Sequence, residues 1–147
     1  MAVGCGFITC ALKQRGIESC GHCADLANCG RWQKLRQEGR SHDSFVSYRA
    51  LEDNTQFIAR QGLAAFDQAQ RQKEAVLKAM LRDFNEGRPR SYYCIAATVL
   101  DTDALAAALT KARRTALGLE IKAKAKALHA ILDAAARAKG LALKLRH

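Results

Sequence analysis

Proline is almost missing from this chain. Pro89 is the only one in 147 residues, so long stretches are free of the residue that removes a helical amide and clashes with the preceding turn. Aromatic residues make up only 6%, and nothing in their placement lays out a stacking platform for bases. No apolar run approaches the roughly 20 residues needed to span a bilayer. Residues 1–12 also lack a basic start and a small-residue cleavage site, the marks of an export signal. The expectation is a soluble, cytoplasmic chain without a membrane span, in which thiols stay reduced. Glycine-rich phosphate loops, HExxH and paired carboxylates are missing as well, and with them the usual constellations for phosphate binding and acid–base work.

What the chain does have is cysteine, concentrated at one end. Five of the six fall in the run Cys5-GFIT-Cys10-ALKQRGIES-Cys20-GH-Cys23-ADLAN-Cys29. Thiolates bind zinc when two close pairs bring four sulfurs to the corners of a tetrahedron. Cys20 and Cys23 form the tight pair, and Cys5 with Cys10 a looser one. Cys29 is either a substitute ligand or a free thiol beside the site, and His22, inside the tight pair, is expected to face solvent. Gly4, Gly6 and Gly21 flank the ligands, where a chain wrapped around an ion often needs positive φ, and Gly16 lets the intervening segment turn back. Five cysteines in so polar a stretch are not a core pattern, and disulfides need an oxidising compartment. Zinc is therefore the first reading, with an iron–sulfur cluster or redox thiols as alternatives, since the softness of sulfur alone does not separate zinc from iron.

The same run resembles the second half of the cysteine-rich DUF3795 family, whose members read Cys-x4-Cys-Ala, a basic residue, a short KGIE-like turn, Cys-x2-Cys and a last cysteine before a short helix. Residues 5–35 follow that order. The aromatic–proline pair that usually precedes the last cysteine is replaced by Leu26-Ala27-Asn28, and residues 84–100 bear a weaker similarity to a region following the domain. The resemblance implies zinc binding and no catalytic residues.

Beyond the cysteines the pattern is helical. Residues 30–40 read as a short helix that places Trp32 and Leu35 on one face, with Trp32 packed against the cysteine segment and Gly39 as its end. Residues 41–45 read as a polar connection, and a second helix with Tyr48, Leu51, Phe57 and Ile58 breaks at Gly62. The strongest stripe is Phe66, Ala69, Val76, Leu77, Met80, Leu81 and Phe84, with Lys73 as its polar intruder; Gly87 and Pro89 stop it. Residues 92–100 read as an extended or helical buried segment holding Cys94 as a small apolar residue. Asp101 or Asp103 caps the next helix, whose stripe is Leu105, Leu109 and Ala112. Leu117, Ile121, Leu128 and Leu132 form another, and the mismatch between the two predicts a break near Gly118. The fold class is mostly α, a small N-terminal cysteine-ligated metal knot followed by a helical bundle, divided as 1–40, 41–100 and 101–147.

Residues 111–146 hold ten Lys or Arg against Glu120 and Asp133, contributing +8 of the formal +10. Such a field attracts polyanions by counterion release, and Lys122, Lys124 and Lys126 are the candidate nucleic-acid contacts. The plainer reading is a solvated amphipathic helix. An anionic membrane surface ranks below both, because the apolar face is alanine-rich and lacks Trp or Phe. Enzyme readings are thin. His42 or His129 acting as a base for Cys29 is a pairing that arises by chance in a chain with four histidines and six cysteines, and redox chemistry at Cys20 and Cys23, slightly better founded, lacks a strand–helix context. The expected role is a metal-binding module that binds or regulates rather than catalyses, with nucleic acid or protein as partner through the basic region.

Overall fold

The computed structural model describes residues 5–41, 46–87 and 90–143. Every regular element among them is helical, as the shortage of proline and the wealth of Ala, Leu, Lys and Arg lead one to expect. In chain order these are α1 (Gly6–Ile8), running on into a π-helical turn at Thr9–Gln14; two single 3-10 turns at Cys20–His22 and Leu26–Asn28; α2 (Gly30–Ser41); α3 (Val46–Gln61); α4 (Leu63–Asp83); α5 (Arg90–Val99); α6 (Thr102–Thr115); and α7 (Ile121–Ala138). They form two compact units, Met1–Asp43 with Tyr48–Asp67, and Ser44–Ser47 with Gln68–His147. The long α4 thus contributes its first residues to one unit and the rest to the other.

In the first unit a chain rich in polar residues is held by local bonds and one helix. Gly16 takes φ +63 and lets the Ile17 amide reach back to the Ala11 carbonyl at 2.9 Å, closing the π turn and sending the chain toward the tight cysteine pair. Gly6 and Gly21 were expected to need positive φ, but neither adopts it. Gly21 is required for a different reason. A Cβ there would lie 2.8 Å from the Thr55 carbonyl oxygen and 3.0 Å from the Ile58 side chain, so the 3-10 turn lies directly on α3. Gly39 does not end α2, which continues to Ser41. The connection after it, including His42, lies outside the described residues, as does Gly4.

The second unit buries Met80, Phe84, Tyr93, Leu100, Leu105, Leu128 and Leu132 as its large core residues. Alanines fill the space between: Ala108, Ala112 and Ala116 from α6 and its end, Ala125 and Ala136 from α7. Small side chains on facing stripes let helix axes come close. Tyr93 is fully buried and donates its hydroxyl to the Phe84 carbonyl at 3.0 Å, satisfying an end carbonyl of α4. The predicted cap is present, with Asp101 accepting from the Ala104 amide at 2.7 Å. Asp101 also pairs with Lys139, beside the half-buried Lys73. The break comes at Gly118, with φ +76. Gly62 likewise takes positive φ where α3 stops, whereas α4 ends at Asp83, four residues before the positive-φ Gly87 that was expected to stop it.

Two expectations fail here. Residues 90–99 form a helix, but Cys94 is on its exposed side rather than buried. Leu117 and Ile121 do not belong to the α7 stripe. Both are exposed, and Ala125, Leu128, Leu132 and Ala136 make up the buried face instead.

Candidate metal centre

Four of the five clustered cysteines line one cavity. Cys10 comes from the π turn, Cys20 and Cys23 from the ends of the first 3-10 turn, and Cys29 from the residue leading into α2; Trp32, Arg15 and Asp25 complete much of the wall. The cavity measures about 160 Å³. Cys5 is not part of its lining and sits exposed ahead of α1. His22 is exposed, as expected.

Each wall segment has a local cause. Ser19 accepts from the Gly21 amide at 3.1 Å, fixing the turn that separates Cys20 from Cys23. Arg31 donates to the Gly6 carbonyl at 2.8 Å, tying the start of α2 to α1. Trp32 is 4% exposed and meets Phe7 edge to face at 6.2 Å, so the expected packing of this lone indole against the cysteine segment is observed. The Arg15 guanidinium bridges two partners, Asp25 at 2.7 Å and the Cys23 sulfur at 3.4 Å. Serine before a tight turn is a readable capping signal. The Arg15–Asp25 pair carries none, because it spans two turns.

Cys20 is held above its ordinary thiol value by burial first, then by the like charge of Cys23, Cys29, Cys10 and Cys5 in that order. Cys5 is pushed the other way by the backbone amides of Ile8 and Phe7, although neither closes a capping hydrogen bond onto it. Arg15 is raised by Asp25 first and by Cys23 next. A fixed cation thus stands where thiolate charge would accumulate.

The donor set fits a thiophilic metal: soft sulfur ligands, a neutralising guanidinium, and an indole whose buried Nε1 has no hydrogen-bond partner. A buried N–H without an acceptor is costly, and thiolate or sulfide sulfur would supply one. As placed, no three His, Cys, Asp or Glu side chains among the described residues converge closely enough to hold one ion. The fit is therefore to ligand chemistry and a shared cavity, not to a formed coordination shell.

The chain matches no known family model, no curated protein and no solved structure. Its function has to be argued from its own residues.

The basic region is less unified than its sequence. Arg113 is taken up by Asp83 at 2.7 Å and Lys139 by Asp101. Lys122 and Lys126 are exposed one turn apart on α7, whereas Lys124 is half-buried and lies about 200° around the helix from Lys122. Lys144 and Arg146 fall outside the described residues. His129, weighed as a base, is stacked on Tyr92 at 3.9 Å and lies against Tyr93. Burial holds it below its ordinary value. No described helix is long and apolar enough to cross a membrane.

Proposed function

We propose that the first unit is a thiolate metal site, with zinc held by Cys10, Cys20, Cys23 and Cys29, and that the protein acts as a metal-dependent binding or regulatory module. The observation that carries this reading is the meeting of those four cysteines, drawn from three separate turns, on one cavity beside Arg15. The order of cysteines resembles that of the DUF3795 family, although no family model matches the chain, and on our reading it points to the same assignment. Cys5, the first member of the looser pair, becomes a bystander in this scheme, and Cys29 takes its place. Zinc supplies no redox chemistry; bound here, it would fix a segment with little apolar core of its own.

An iron–sulfur cluster is the second reading, favoured by one observation. The N–H donors Arg15 and Trp32 line the cavity, and such donors tune cluster sulfurs.

Protein purified without oxygen and analysed for metals separates the two. One zinc per chain, no visible absorbance and four thiols released on chelation support the first reading. Iron with a brown spectrum replaces it with the second. A chain that takes up neither metal on reconstitution contradicts both.

A further inference from the structure

We propose that the turn between α6 and α7 is a docking tip for an anionic bilayer surface. Among the described residues of the second unit, every exposed large apolar side chain falls within residues 117–121: Leu117 is 85% exposed, Leu119 43% and Ile121 41%. Elsewhere among the described residues of that unit the large aliphatic side chains go into or against a core that fills itself with alanine, so three aliphatics on one short turn are not explained by packing. Helices α6 and α7 pack on each other and are joined by this turn. The end of α6 and the start of α7 therefore share one end of the hairpin, and the apolar turn is its tip.

Cations surround the tip. Lys111 and Arg114 lie in the last turns of α6, and Lys122 and Lys126 in the first turns of α7; all four are exposed, and none has an ion-pair partner among the described residues. Glu120 is the only carboxylate between residues 104 and 132. An apolar tip with a ring of long basic side chains is complementary to a bilayer that carries negative headgroups: aliphatic side chains enter the acyl boundary while Lys and Arg stay at phosphate level. Nucleic acid matches the ring but not the tip, because no aromatic side chain at this turn offers a base a surface to stack on. The alanine-rich face of α7, which argues against a helix lying in the interface, is spent on the core and has no part in this mode. The tip belongs to the second unit and the cysteine cavity to the first.

Flotation of the full chain with vesicles tests the proposal. The protein should rise with vesicles of phosphatidylcholine mixed equally with phosphatidylserine, stay behind with phosphatidylcholine alone, and release as salt is raised. Leu117→Asn with Leu119→Asn, and separately Lys122→Glu with Lys126→Glu, should each weaken partition by about tenfold or more. All four side chains are exposed or partly so, and circular dichroism establishes that each variant keeps its helices. The proposal is overturned if the wild-type chain stays in solution with the anionic vesicles, or if the leucine variant floats as well as the wild type. It is equally overturned if those leucines prove instead to hold a dimer that dissociates on substitution, or if the chain binds single-stranded RNA with no vesicle partition.

Discussion

Gly21 stands between the paired cysteines with no room for even one more carbon. The Thr55 carbonyl, Ile58 and the Ala59 amide occupy the space a Cβ would need, and two of these obstacles are backbone atoms that cannot rotate away. Gly21→Ala is expected to lower stability by about 1–3 kcal/mol and to reduce metal uptake with it, checked by thermal unfolding and metal content side by side. The cysteine chemistry separates equally clearly. In metal-free protein, Cys5 is exposed with its thiol lowered, while Cys20 is raised by burial and by its neighbours. More thiolate means faster alkylation. Iodoacetamide at neutral pH should therefore modify Cys5 several-fold faster than Cys20, as peptide mapping would show. The tight pair was legible as two cysteines on one short turn. Why its middle residue must be glycine was not, because the obstacle comes from α3.

Helix ends are where the sequence spoke most plainly. Asp101 caps α6 and Gly118 breaks the hairpin as their residue types predict. Where helices pair, the local pattern was mute. Asp83, at the end of α4, accepts from Arg82 at 2.6 Å and from Arg113 of α6 at 2.7 Å, and these two guanidinium groups hold its carboxyl down to about 2 from an ordinary 3.8. A carboxyl lowered in the folded state stabilises it above the unfolded value and loses that contribution as pH falls through the folded one. Asp83→Asn should therefore cost about 1 kcal/mol at neutral pH, and the gap to the wild type should close between pH 3.8 and about 2; urea titrations across that range measure it. Leu117 and Ile121 misled for a related reason. Extending a helical wheel through a glycine break assigns to a buried stripe residues that belong to the turn.

Taken whole, the chain divides its composition between two jobs. Cysteine, glycine and the lone tryptophan build a unit whose core is a lined cavity, and alanine, leucine and lysine build a helical unit with a dense interior and a basic surface. A three-part division at residues 40 and 100 follows from composition, whereas the units change over within α4. A continuous amphipathic helix gives no local sign of where one core stops and the next starts. In the proposed site Cys10, Cys20, Cys23 and Cys29 act together, and Cys5 and Cys94 take no part. The most direct test is metal stoichiometry across six single Cys→Ser variants, each purified without oxygen. Loss of metal in the four cavity variants, with full occupancy retained in Cys5→Ser and Cys94→Ser, is the predicted result. Full occupancy in the Cys29→Ser variant, with loss in Cys5→Ser, would rule out the cavity set and return the site to the looser pair.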